Sequence, residues 1–485
     1  MTFLDIEFAF FLPLFLILYF VVPKKYRYVV TLVGSYVFYA FTDIRLAFVL
    51  LGVTILTYTG GFVIGKNKRK ALLALFFTLN ILVLVFFKYT NFIISDLGSV
   101  VSRINPGFTG FNELSIILPA GLSFMIFQSS TYLTDVYKDK IKPTKNFILY
   151  AAFVAFFPCI ICGPIQKSRE LIPQLIEPKS VTGDDFKKGT LLFAWGFCEK
   201  VLVANRLSTI INPVFADCVN VNPALNLLAA VLFSVYIYAD FAAYSDMARG
   251  VALFMGIDVG KNFDNPYLSR STSEFWNRWH MSLNSWFLEN IYIPLGGNRK
   301  GEFRKYLNIM VVFFVSGIWH GAGNHFIVWG VLNGLLVILG RMLLPLKEKV
   351  YARLKINPEV EGVVFLERLW VFILITFTWI FFNNGFMQSV EIIRSIAHVK
   401  LLDFFRDDFV GVAGGVRTTV SLIIALYAFY KIQVKRVDEK KFYEKFNNQP
   451  MILQAIILAI IIYLCVFAVC GTDKFVNTTF LYAQF

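Results

Sequence analysis

Twelve apolar runs, most of them long enough to cross a bilayer, leave this chain few folds to choose from. They lie near 6–22, 29–45, 46–64, 71–89, 115–137, 189–212, 223–256, 306–320, 325–344, 364–385, 413–430 and 451–470. A helical span needs about 20 apolar residues, so these runs predict an all-α polytopic membrane protein of about 11–12 transmembrane helices. Composition agrees: 57% of 485 residues are hydrophobic and 16% charged, with a mean hydropathy of +0.64, which excludes an ordinary soluble protein. The 53 phenylalanines and 22 tyrosines fit lipid-facing and interfacial surfaces and need no cofactor to explain them. With no internal repeat and no low-complexity linker, residues 1–470 read as one membrane domain and 471–485 as a tail.

The charges report topology. The basic groups Lys24-Lys25-Tyr26-Arg27, Lys66 to Lys70 and Lys138 to Lys142 follow the first, third and fifth runs, while the alternate connections are neutral or slightly acidic. By the excess of Lys and Arg on cytoplasmic loops, the basic connections face inward and the N-terminus outward. Continuing the alternation puts 257–305, with seven Lys and Arg, and the loops 345–363 and 431–450 inside, and the tail outside. A net charge of +14 scattered over loops in this way is no footprint of a nucleic-acid partner. Residues 146–162 are apolar but basic on both flanks, and are expected to form a re-entrant hairpin broken at Pro158 and Gly163-Pro164. Met1 to Glu7 is acidic and lacks the basic region of a signal peptide, so the first run is expected to be retained. The six cysteines show no zinc-like spacing; Cys159 and Cys162 form a CxxC inside an apolar run and read as small packing residues. No metal site is expected.

Chemistry points to 262–325, which holds three of the four histidines. His280 and His320 each follow a tryptophan, Trp279 and Trp319. His320 closes an apolar run, and an ionisable group at that depth is costly unless it faces a cavity or a partner. Imidazole, with an unperturbed pKa of roughly 6.5, can take and return a proton near neutrality; a packing histidine bonded to a backbone carbonyl is the alternative. Asp240, Asp246 and Arg249 interrupt the run 223–256. Asp246 and Arg249 are spaced to pair on a helix, whereas Asp240 has no opposite charge one turn away and needs a partner from elsewhere. His280 and Asn284, also one turn apart, can face a common cavity.

Three blocks carry a resemblance: Ser273-Glu274-Phe275-Trp276-Asn277-Arg278-Trp279-His280, then Ile293-Pro294-Leu295-Gly296-Gly297-Asn298-Arg299, then Trp319-His320-Gly321. With Asp240 to Asp246, Phe156-Phe157-Pro158 and Gly163-Pro164-Ile165, they resemble the membrane-bound O-acyltransferase family, and more narrowly its bacterial branch that acylates cell-envelope polysaccharides by alginate O-acetylation or teichoic-acid D-alanylation. Cys159 departs from the usual pattern in its segment. The motif core covers about 112–340. The resemblance implies a helical bundle around a central tunnel, and transfer of an acyl group from a cytoplasmic thioester to a hydroxyl. It makes His320 the base and His280 a second active-site residue, with Asp240, Tyr244, Trp279, Asn284 and Trp319 binding substrate or lining the tunnel.

The last six residues, Phe480-Leu481-Tyr482-Ala483-Gln484-Phe485, resemble the FIYxxF-type C-terminal sequence of envelope acylation machineries, with Leu481 in place of isoleucine. That resemblance implies that Tyr482 accepts the acyl group and relays it; an interfacial aromatic anchor is the alternative. The implied donor is acetyl-CoA or an acyl-carrier thioester, with no bound cofactor. The implied partners are an extracytoplasmic polysaccharide, a secreted SGNH-type acyltransferase, an acyl carrier protein and membrane lipids, and the location is a bacterial cytoplasmic membrane. D-alanyl transfer to teichoic acid, acylation of a membrane lipid, and a channel or flippase for a lipid-linked sugar stay open.

Overall fold

A computed structural model describes the chain apart from residues 42, 106–107, 109–110, 113, 406–408, 413, 432–438, 471–479 and 482–485. Among the described residues regular structure is helical throughout, with no strand. In order the helices are α1 Ile6–Val21, α2 Arg27–Ala40, α3 Ile44–Lys66, α4 Lys70–Ile104, α5 Leu122–Tyr137, α6 Phe147–Val154, α7 Phe157–Ile160, α8 Ser168–Ile176, α9 Gly183–Cys198 and α10 Asn205–Ala216. There follow α11 Pro223–Phe254, α12 Thr272–Arg278, α13 Met281–Phe287, α14 Gly301–His320, α15 Asn324–Arg353, α16 Glu361–Asn383, α17 Phe386–Ala397, α18 Phe409–Val412, α19 Val416–Phe429, α20 Glu439–Asn447 and α21 Met451–Cys470. Of these α3, α4, α11, α15 and α16 are each long and apolar enough to cross a membrane, and α1, α6 with α7, and α19 are shorter apolar helices. The protein is an all-α, multi-pass membrane protein.

Several boundaries differ from the sequence expectation. The connection between the runs 71–89 and 115–137 is helical as far as Ile104, because nothing before Pro106 interrupts the helix and Asp96 and Arg103 are the only charges between 90 and 104. The run 115–137 becomes helical only at Leu122: Gly121 adopts φ +70°, and a Cβ there would overlap the Ile160 carbonyl. The segment expected to be a re-entrant hairpin is two short helices, but the break falls at Ala155-Phe156. Pro158 sits in the first turn of α7, where its missing N–H costs nothing, so it starts a helix instead of ending one. The run 189–212 belongs to a longer rod in which a π-helical turn, Glu199–Ala204, joins α9 to α10. Helix α15 carries Pro345 inside it and runs on to Arg353.

The chain divides into two compact units. Met1–Gly189 with Ala248–Gly260 form the first, and Thr190–Met247 with Lys261–Leu481 the second. In the first, α7 is seated by Phe157, whose ring meets those of Phe11, Phe15 and Phe38 at 5.5, 5.0 and 5.4 Å. Nearby polar groups are paired: buried Asp135 accepts from Ser168 Oγ at 2.9 Å and from Arg169 at 2.6 Å. In the second unit, α14 and α15 pack glycine to glycine. A Cβ on Gly317 would overlap the Phe326 carbonyl, and one on Gly330 the Phe313 carbonyl. Without a hydrophobic force between helices in lipid, small residues allow the backbone approach that holds such a pair.

Candidate active site

The helical stretch that follows α11 is broken where His280 stands, between α12 and α13. Ser271 caps α12 by accepting the Glu274 N–H at 3.1 Å, while the Glu274 carboxylate reaches back to the Arg270 N–H at 2.8 Å, close to a capping box. The helix ends at Arg278. There the Asn284 amide donates to the carbonyls of Trp276 and of Trp279, the latter at 2.6 Å. His280 then takes a left-handed conformation, φ +45° and ψ 55°, before α13 begins. For a residue with a Cβ this costs about 1–2 kcal/mol. The flanking bonds impose it: Met281 N–H to the Asn262 carbonyl at 2.8 Å, and Asp264 N–H to the Arg278 carbonyl at 3.0 Å. Asn262 is itself fixed, donating to Ser245 Oγ on α11 at 3.0 Å and accepting from Ser282 Oγ at 2.6 Å.

The imidazole so aimed is 2% exposed, so the ring is enclosed by protein. It stands edge-on to Phe241 at 4.6 Å and faces Trp319 at 6.5 Å. Burial pushes the His280 pKa down to about 3, so the ring is neutral at physiological pH.

His320, also 2% exposed, is the last residue of α14. Its ring meets Trp319 at 4.5 Å, Phe382 at 4.9 Å and Trp329 at 5.0 Å. The two imidazoles thus flank one indole. Behind them the rings continue: Trp329 stacks on Trp379 at 5.8 Å, and Trp379 meets Trp279 at 5.1 Å. The indole N–H groups of Trp276 and Trp329 are buried with no hydrogen-bond partner among the described residues. A wall of this kind excludes water, and it still offers donors to an oxygen-rich ligand. Charge forming on His320 would lie at the negative end of the α14 dipole.

The remaining expected residues fall into two groups. Trp279 stacks on Phe275 at 5.5 Å, and the Asn284 amide is spent on the end of α12, so both hold the His280 turn in place. Asp240 and Tyr244, one turn apart on α11, meet the end of the chain. Asp240 Oδ1 accepts from Lys200 Nζ at 2.6 Å, and its Oδ2 accepts the backbone N–H of Leu481 at 2.7 Å. Tyr244 stands edge-on to Phe480 at 5.0 Å. Tyr482 lies outside the described residues. Sequence reasoning missed Lys200; the available signal is that a lone Asp240 in an apolar span requires a cation, and Lys200 is a cation in another apolar run. Among the described residues no group of His, Cys, Asp and Glu is arranged to hold a metal ion.

The sequence model of the membrane-bound O-acyltransferase family matches residues 69–382, and the chain belongs to that family. It is 33% identical over 450 residues to the probable alginate O-acetylase AlgI of Pseudomonas aeruginosa, covering 91% of this chain and 81% of that protein. It is 31% identical over 386 residues to the peptidoglycan O-acetyltransferase of Helicobacter pylori, covering 73% and 71%. It is 27% identical over 260 residues to the teichoic acid D-alanyltransferase of Bacillus subtilis, covering 50% and 63%. Family membership makes this protein a membrane-bound acyltransferase and sets aside the channel or flippase.

Proposed function

We propose that the protein O-acetylates an extracytoplasmic cell-envelope polysaccharide, taking acetyl from cytoplasmic acetyl-CoA and passing it outward through Tyr482. One observation carries this reading. Asp240 holds the N–H of Leu481, the residue before Tyr482, and the next residue on α11, Phe241, packs against His280. Relatives named for O-acetylation of alginate and of peptidoglycan support the acetyl group and the polymer class.

The chemistry follows from the groups present. A phenol of pKa near 10 is a poor nucleophile until a base takes its proton. In this reading His320 takes that proton as Tyr482 Oη attacks the thioester carbonyl carbon. The tetrahedral intermediate collapses with cleavage of the C–S bond, and the imidazolium returns the proton to the departing thiolate. Neutral His280 donates an N–H to the substrate. In the second half a polymer hydroxyl attacks the acyl-tyrosine ester, and its proton passes through His320 to the phenolate. The aromatic wall keeps bulk water from hydrolysing either ester. A passage between the two faces, an inward donor side, an outward tail and a secreted SGNH-type partner complete the scheme.

The test is mass spectrometry of the C-terminal peptide after the full chain, in lipid nanodiscs, meets isotope-labelled acetyl-CoA. An acetyl adduct on Tyr482, absent from Tyr482→Phe and His320→Ala, is expected. An adduct formed only from a D-alanyl carrier thioester would replace the donor, and an unmodified tyrosine with both donors would end the relay.

A further inference from the structure

Lys200 and Asp240 are 1% and 0% exposed, on a π-helical turn and near the middle of a membrane-spanning helix. Burying two charges costs several kcal/mol per ion, and their attraction repays this only when the remaining lone pairs and protons also find partners. The tail supplies those partners. Leu481 N–H binds the second oxygen of Asp240 at 2.7 Å, and the Phe480 ring lies 4.6 Å from Lys200 Nζ in a cation–π contact. Tyr244, one turn from Asp240, also meets Phe480, edge-on at 5.0 Å, and Phe480 is buried. Two consecutive tail residues are therefore gripped by three side chains from two helices. Helices α19 and α21 pack on the same π-helical turn, so the helix that precedes the tail reaches the place where the tail is held. π-Helical turns are frequent at functional sites.

We propose that Lys200 and Asp240, with Tyr244, form a latch that docks Phe480-Leu481 and so fixes the position from which the following residue is presented. They are positioning residues: nothing in their role requires them to touch an acyl group. The inference deepens the relay reading and rests on it for its purpose, but the latch itself is a binding statement with its own readout.

Hydrogen exchange at the Leu481 amide, read in the full chain in nanodiscs by mass spectrometry with residue-level fragmentation, tests it. A hydrogen bond to a charged, buried acceptor predicts roughly tenfold to hundredfold slower exchange than in the free C-terminal peptide. Exchanging the pair (Lys200→Asp with Asp240→Lys) keeps two opposite buried charges but removes the acceptor, and should return exchange to the peptide rate. Should that variant fail to fold, Leu481→Pro leaves the ion pair whole and removes the donor. It should lower acetyl transfer to Tyr482 at least tenfold, while Leu481→Ala keeps most of it. Wild-type exchange as fast as the peptide's, or a proline variant as active as the alanine variant, overturns the latch. A protected Leu481 amide beside a Tyr482 that is never acylated would leave the latch standing and remove the relay.

Discussion

Replacing Gly317 by alanine puts a methyl group where α14 meets the Phe326 carbonyl of α15, one turn before His320. An ordinary carbon to oxygen contact is about 3.4 Å, and restoring it requires the two backbones to part by about 1 Å. Neither side can yield by turning a side chain, because the Phe326 carbonyl is backbone and Gly330 Cα lies 3.4 Å from the new atom. Overpacking of this kind costs about 1–3 kcal/mol, partly offset by alanine's helix propensity, about 1 kcal/mol over glycine. Stability should therefore fall by no more than about 2 kcal/mol. With His320 as the base proposed above, catalysis should suffer more, since a misplacement of about 1 Å in a reacting group is worth roughly a hundredfold. The assay is initial rate of acetyl transfer to Tyr482 together with the melting temperature in nanodiscs. Gly362→Ala on α16, where a Cβ meets nothing within 4 Å, is the control and should leave both unchanged or slightly improved. Gly317→Ala working at more than half the wild-type rate would refute the claim that glycine contact sets the position of His320.

Four further outcomes follow from the same geometry. His280→Asn tolerates a left-handed backbone and should fold yet lose most activity, whereas His280→Ala should also lose stability; equal melting of the two would show that the conformation is unstrained. Because His280 has a native pKa of about 3 against an ordinary 6.5, the unfolded chain binds a proton there that the native state does not between those pH values. The native fold is thus favoured above about pH 6.5 and loses that advantage as pH falls; wild type should lose melting temperature on acidification faster than His280→Asn, and parallel slopes would contradict a buried neutral ring. Asn284→Asp puts an acceptor against the Trp276 and Trp279 carbonyls and should destabilise by about 1–3 kcal/mol, seen as a lower melting temperature. Glu367 binds Arg270 and Lys347 at 2.5 Å each, so Glu367→Gln should cost about 1–3 kcal/mol, with no loss in melting temperature as the contrary result.

Much of this was legible in the chain because membrane helices announce themselves by length and hydropathy, and because the Trp-His pairs are local. What fixes the site is not local. The left-handed turn at His280 is imposed by Asn262 and Asn284, ordinary residues whose hydrogen bonds appear only once α11, α12 and α13 are packed. Lys200 is forty residues from Asp240, and its apolar run gives no sign that it turns inward. Helix ends were misplaced where proline misleads: Pro158 begins a helix, and Pro345 lies within one. Asp240, by contrast, shows in the sequence alone that it needs a distant partner, since a lone carboxylate in an apolar run has to find a cation elsewhere.

Of the eight tryptophans in the chain, those at 276, 279, 319, 329 and 379 belong to the ring array around the two imidazoles. The protein thereby carries a built-in optical probe of its candidate site. Ultraviolet emission, which in most membrane proteins averages over scattered indoles, here weighs one neighbourhood, and any ligand arriving beside His320 would change its colour or brightness without any added dye.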